Sequence, residues 1–312
     1  MVNSLKMKYL YDHDYMADPS AHVFNDKIYI YPSHDRDTEH SENDNGDHFD
    51  MRDYHVLRMD SIHDQQAVDC GKVLDIADIP WASRQLWDND VMEYGGKYYM
   101  IFCAKDYNDI FRLGVAISDS PEGPFVPQPD PIRGSYSIDP CLFKDEDGKC
   151  YCYFGGIWGG QLQNYKNNKL IDFPILPKGG ETAIQPRVAV MSDDLLQFAE
   201  SPRPLVILDN NGNEMIAEDP HHFFEASWMV KDNGKYYFMY STGDSHLMCL
   251  AEGNNPYGPF TLKKEILGPV IGWTTHGSLC LIDGKWYLFH HDSAPSGGKT
   301  WLRSIKVTET SL

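Results

Sequence analysis

The chain has 312 residues, 42% of them hydrophobic and 23% charged, a balance that supports a sizeable buried core. Its 46 acidic residues outnumber 27 basic ones for a formal charge of −19; with no basic run, that field excludes nucleic-acid and anionic-membrane binding and favours a neutral substrate. No apolar stretch is long enough to span a bilayer and the N-terminal MVNSLKMKYLYDHDY has no apolar leader core, so the chain as written reads as cytoplasmic, or as exported if a leader was removed.

In chain order, a short stretch at residues 8–11 precedes a motif that occurs five times. Its copies pair an apolar run with a turn, a lysine and an aromatic-rich strand: PSAHVF with NDKIYIYPS, NDVMEY with GGKYYMIFC, PCLFKD with DGKCYCYFG, ASWMVK with NGKYYFMYS, and GSLCLI with DGKWYLFHH. Asn-Gly and Asp-Gly between alternating strands favour tight hairpin turns, so each copy predicts a β-hairpin. A third strand follows each hairpin (YHVLRMD, LGVAISDS, RVAVMSDD, HLMCLAEG, WLRSIKV), and two of these lead into matching loops, SPEGPF and NPYGPF. A fourth, outer strand is read after the first four copies, as in GKVLDI and PLVIL, but not after the fifth. Residues 8–11 are the candidate for the missing strand. The pattern predicts an all-β, five-bladed β-propeller with four-stranded antiparallel blades, forming one domain over residues 1–312. The seven cysteines form no Cys-x-x-Cys pair and read as buried free thiols.

In such a ring the first strand of every blade lines the central channel, so residues just before those strands gather at one mouth. Nine or ten positions before the key lysines stand Asp18, Asp88, Asp139, Glu225 and Thr275, with His276 beside the last. A single Asp-Pro reads as a turn starter. Several carboxylates aimed at one channel repel one another, and that raises at least one pKa. A charged carboxylate paired with a protonated one suits glycoside hydrolysis, and a separation of roughly 6.5–9.5 Å is the inverting geometry. Glu225, beside Phe223, Phe224 and Trp228, is the better acid; Asp18, in the more polar MADPSAHVF, is the better base.

The motifs ADPSAHVF, YIYPSHD, MRDYHVL, DIPWA, SIDPCLF, GGIWGGQLQ, FFEASW and THGSL together resemble glycoside hydrolase family 43, the arabinofuranosidase and β-xylosidase family, over nearly the whole chain. That resemblance implies a five-bladed propeller, Asp18 as general base, Glu225 as general acid, and Asp139 as the residue that tunes the acid and holds the sugar. It implies inverting, exo-acting removal of α-L-arabinofuranosyl or β-D-xylosyl units from plant cell-wall oligosaccharides or polysaccharides. Endo-acting hydrolysis and a non-catalytic sugar-binding propeller are the alternatives. The chain departs from the family where Trp87-Asp88-Asn89-Asp90 replaces a frequent Trp-Ala-Pro-Asp, which bears on substrate fit.

Arg303 resembles a substrate-binding arginine of related enzymes, and His276 a channel histidine near a bound cation. Calcium prefers oxygen ligands, so His276 would act through water on a structural Ca2+; the chemistry itself requires no cofactor. Trp87, Trp158, Trp273 and Phe24 are candidate sugar-stacking faces, with packing as the competing role. The Asp- and His-rich residues 34–50 repeat no ligand spacing and read as a solvated loop, at either rim of the ring.

Overall fold

The computed structural model describes residues 7–312, in which five blade sheets surround a central channel and a separate two-stranded ribbon pairs Tyr165–Lys166 with Lys169–Leu170. Blade one contains Met16–Phe24, Lys27–His34, Asp53–Met59 and Val68–Asp75; blade three contains Cys141–Lys144, Cys150–Phe154, Arg187–Val190 and Arg203–Pro204. Blade two runs Asn89–Tyr94, Lys97–Asp106, Phe111–Ser118 and Val126–Pro127, with Ala82–Arg84 added to the far end of its second strand. Blade four runs Phe223–Asp232, Lys235–Thr242, Met248–Gly253 and Phe260–Leu267.

Besides the added Ala82–Arg84, two further features depart from the uniform four-stranded antiparallel blades expected. The segment PLVIL is divided between neighbours: Pro204 pairs with Arg187 at the edge of blade three, whereas Ile207–Leu208 crosses over and pairs in parallel with Phe260 and Thr261 of blade four. The third hairpin is also wider than its Asp-Gly suggests, because Lys144 pairs with Cys150. Asp145 is drawn toward blade four instead, accepting from Lys231 Nζ at 2.8 Å and Tyr236 Oη at 2.6 Å. The other four turns carry two consecutive left-handed residues, such as Asn233 and Gly234 at φ 49° and 76°, as the tight hairpin requires.

The second strand of each blade is buried almost end to end, as in KIYIYPSH and KYYFMYST, because both its faces meet neighbouring blades. Buried tyrosines there must satisfy their hydroxyls. Tyr31 of blade one donates to Pro121 O at 2.8 Å, and Tyr153 of blade three donates to Pro256 O at 2.9 Å. These acceptors lie in SPEGPF and NPYGPF, so the two matching loops are docking points for the preceding blade's tyrosine.

Blade five contains Gly277–Ile282, Lys285–Asp292 and Ser304–Thr310, and the N-terminal Lys8–Tyr9 is its outer strand. Lys8 pairs with Val307 and Tyr9 with Lys306. Leu10, fully buried, accepts from Ala67 N at 2.7 Å, which ties blade five to blade one and closes the ring. Six of the seven free cysteines are buried.

Candidate active site

The inner strands bend where they reach the channel mouth. Register shifts interrupt Met16–Phe24 between Ala17 and Ser20, and Phe223–Asp232 on both sides of Glu225. Bulges of this kind re-aim a side chain out of the ladder. Asp18 and Asp139 themselves sit at left-handed φ of 48° and 55°, and Ala226, next to Glu225, at 65°. Such strain persists only where surrounding contacts hold it, and it concentrates at functional sites. The result is a cavity of about 460 Å³ into which Asp18, Asp88, Asp139 and Glu225 all project. Thr275 turns away to donate to Ser241 Oγ at 3.2 Å; its neighbours Thr274 and His276 line the cavity in its place.

Each carboxylate has a distinct environment. Asp18 Oδ1 accepts from Arg303 Nη1 at 2.8 Å, and the Asp18 amide donates to His291 Nδ1 at 3.0 Å. That amide fixes His291 as the neutral Nε2–H tautomer, which faces Thr274 O at 3.1 Å, so its 3.2 Å approach to Asp18 Oδ1 is not an ion pair. Arg303 is itself gripped by the buried Asp35 through Nε at 2.9 Å, Nη2 at 2.7 Å and its backbone amide at 2.8 Å. Asp88 Oδ1 lies 2.9 Å from His276 Nδ1, and Asp18 Oδ1 and Asp139 Oδ2 are each 3.9 Å from the same nitrogen. Asp139 Oδ2 accepts the Ala226 amide at 2.7 Å.

These environments separate the proton affinities. Burial pushes Glu225 up to about 8, with the Asp88 charge adding to the effect. Burial also raises Asp139 well above the usual carboxylate range, reinforced by Asp88 and Glu225. Asp18 is raised by burial to about 7, opposed by Arg303. Asp88 goes the other way: burial opposes its charge, but the His276 imidazolium holds it below the ordinary range. His276 is desolvated yet raised to about 9, chiefly by Asp88. Two cations thus share a pocket with more acids than they can neutralise, and Asp139 and Glu225 are the ones kept protonated at neutral pH.

Trp87, Trp158 and Trp273 all line this cavity. Trp87 is buried in the wall, its indole donating to Phe49 O at 2.8 Å, whereas Trp158 and Trp273 stand at the rim, 46% and 41% exposed. Phe24 does not reach the site. It closes the opposite end of the inner strand that begins near Asp18, buried against His22, Tyr29 and Tyr98. A strand puts residues six positions apart roughly 20 Å from one another, so Asp18 and Phe24 cannot share one mouth.

The loop at residues 34–50 is structured and covers part of the mouth. Trp301 Nε1 donates to Asp37 at 3.1 Å and Thr300 Oγ1 to Glu42 at 2.9 Å on the blade-five side. Arg84 Nη1 to Asp47 at 2.8 Å and Gln85 Nε2 to Gly46 O at 2.7 Å fix it on the blade-two side. A Cβ on Gly159 would come within 3.1 Å of Asn45 O, so the loop also abuts blade three. Glu42, Asn43, Asp44, His48 and Phe49 face the cavity. Sequence reasoning missed these residues along with Asp35 and His291; the His34-Asp35 pair inside YIYPSHD was the one available signal.

The Asp18 and Asp88 oxygens and a His276 nitrogen lie within 4.8 Å of one another. One nitrogen already facing Asp88 and two carboxylate oxygens do not make the six to eight oxygen ligands of calcium, so these residues do not fit a directly ligated ion. Asp139 Oδ1 is buried without a hydrogen-bond partner among the described residues, as suits ordered water.

A family profile described as "Glycosyl hydrolases family 43" matches residues 15–310. A "Beta-xylosidase" of Xylanibacter ruminicola is 61% identical over 98% of this chain and 96% of its own length. A "Xylosidase/arabinosidase" of Bacteroides ovatus is 61% identical over 97% and 93%, respectively. The solved structure of CoXyl43, described as a β-xylosidase/α-arabinofuranosidase from a compost microbial metagenome in complex with xylotriose, calcium-free form, superposes with a TM-score of 0.95 at 57% identity, covering 99% of this chain and 95% of that one.

Proposed function

Because the chain belongs to family 43 of the glycosyl hydrolases, we propose that it is an inverting, exo-acting glycosidase that removes single β-D-xylosyl or α-L-arabinofuranosyl units from the ends of xylan-derived oligosaccharides. The observation that carries the reading is the convergence of Asp18, Asp88, Asp139 and Glu225 on one half-roofed cavity with unequal proton affinities. Glu225, protonated at neutral pH, gives its proton to the glycosidic oxygen as the bond breaks. Asp18, held by Arg303, takes a proton from the water that attacks the opposite face of the sugar. Asp139 pins the Ala226 amide and so fixes the bulge that aims Glu225. The roof from residues 34–50 limits the pocket to a terminal sugar, and Trp158 and Trp273 flank the leaving chain. Relatives named for both xylosidase and arabinosidase action support the two pentosyl units as substrates.

Proton NMR of the hydrolysis of an aryl β-D-xyloside, whose leaving group has no anomeric centre, tests the mechanism. The xylose released first is expected as the α-anomer; the β-anomer as first product would reject inversion. Matched aryl β-D-xyloside and α-L-arabinofuranoside assays rank the two sugars, and no turnover of either would reject the assignment.

A further inference from the structure

The mouth of the pocket carries charge that the chemistry does not use. Glu42, Asp44 and Asp244 are exposed and all line the cavity. They approach it from two separate loops, and each loop is held. Glu42 accepts from Thr300. Asp44 sits in a turn fixed by Asn43, whose Oδ1 accepts the Asn45 and Asp47 amides at 3.0 and 3.2 Å. Asp244 lies in a loop closed by the Thr242–Ser245 hydroxyl contact at 2.6 Å and the His246 amide to Gly243 O at 2.9 Å.

The nearby cations are already engaged. Lys299 faces Asp37, Arg84 faces Asp47 and Asp109, and Arg303 is consumed by Asp18 and Asp35. His48, the remaining basic residue on this wall, is held neutral by its burial. An approaching chain therefore meets three fixed negative charges backed by a protein of net charge −19.

We propose that Glu42, Asp44 and Asp244 form a charge filter at the pocket mouth, which admits neutral pentose chains and rejects chains carrying a uronic acid beside the bond to be cut. This rests on the glycosidase reading above and adds the substrate class that the same site accepts. It also sets an order of events: a hydrolytic step that removes uronosyl groups must precede this enzyme on an acidic xylan fragment.

Three exposed charges act together on one substrate charge through water, and at low salt their combined effect is about five- to tenfold in rate. The test uses three aryl β-D-xylosides built on a common phenol, with a distal trimethylammonium, a distal carboxylate, or neither. For the intact enzyme, kcat/KM should fall in the order cationic, neutral, anionic, with each step about five- to tenfold and a cationic-to-anionic ratio of about 25 to 100 at 10 mM salt. That ratio should shrink below about two at 1 M salt, where the screening length is near 3 Å. In the E42Q/D44N/D244N variant it should approach one at low salt. The ratio is internal to each protein, so a general loss of activity in the variant does not obscure it, and the salt series needs no variant. A ratio near one in the intact enzyme at low salt, or one that the triple variant leaves unchanged, overturns the filter. If even the neutral xyloside is not turned over, the glycosidase reading fails and the filter falls with it.

Discussion

Glu225 and Asp18 illustrate how one cavity gives two carboxyls different proton affinities. Among the described residues Glu225 has no direct cationic partner and remains protonated to about pH 8, whereas Asp18 shares a buried contact with Arg303 and titrates near 7. A general acid matters most when the leaving group is a poor one, because a good one departs without protonation. Glu225→Gln is therefore expected to cut kcat/KM on xylobiose by about 10²–10⁴-fold. On a dinitrophenyl xyloside, whose phenolate leaves unaided, the loss should be less than about tenfold. Equal losses on both substrates would remove the acid role from Glu225. The same two residues predict the pH profile. Asp18 acts only when ionised, so kcat/KM falls below about pH 7; Glu225 acts only when protonated, so it falls above about pH 8. Asp88 raises both groups by its charge, and Asp88→Asn should move both limbs of the bell toward acid. A profile whose limbs stay in place would show that Asp88 does not set the field in the pocket.

At the scale of strands and loops, the sequence revealed whatever is periodic and hid whatever depends on contact between distant segments. Lysine-led hairpins repeat because every blade presents its second strand to two neighbours, and that environment selects the same aromatic pattern five times. A fixed offset from those lysines was enough to find the four channel acids. Phe24 lies where strand polarity puts it: one end of Met16–Phe24 lines the cavity and the other is blade packing. The loop at residues 34–50 looked solvated because its composition is polar, yet its anchors, Thr300, Trp301, Arg84 and Gln85, lie in blades two and five. The closing strand was legible from the missing fourth strand of blade five. It reaches further toward the site than expected, since Tyr9 Oη donates to Asp292 at 2.9 Å, next to His291 beneath Asp18. Leu10→Ala is expected to cost about 2–3 kcal/mol by leaving a cavity at this seam. The measurement is a urea midpoint with unchanged slope; a loss under about 0.5 kcal/mol would mean that the ring does not depend on this strand.

Across the whole molecule, the active site works against the stability of the fold. Burying several carboxyls around one channel raises their folded-state pKa values, and such groups stabilise the native state only while protonated. For Glu225 the ordinary value is 4.5 and the folded value about 8. Its contribution is fully present below the ordinary value and is lost as the pH rises through about 8, because the unfolded chain ionises freely and the folded one does not. Glutamine copies the neutral acid in shape and cannot ionise, so Glu225→Gln escapes that loss. The variant should melt higher than the native enzyme at pH 9. Glu225 keeps partial exposure to the cavity, and screening there reduces the gain to about 1–2 kcal/mol, or roughly 1.5–3 °C for a chain of this size. Near pH 5 the native residue is itself mostly protonated when folded, and the two melting curves should converge. A gap that is independent of pH would point to altered packing around Phe224 and Trp228 instead. A variant that melts lower at pH 9 would mean that the charged carboxylate is accommodated in this channel, and the raised proton affinity on which its acid role depends would have to be abandoned.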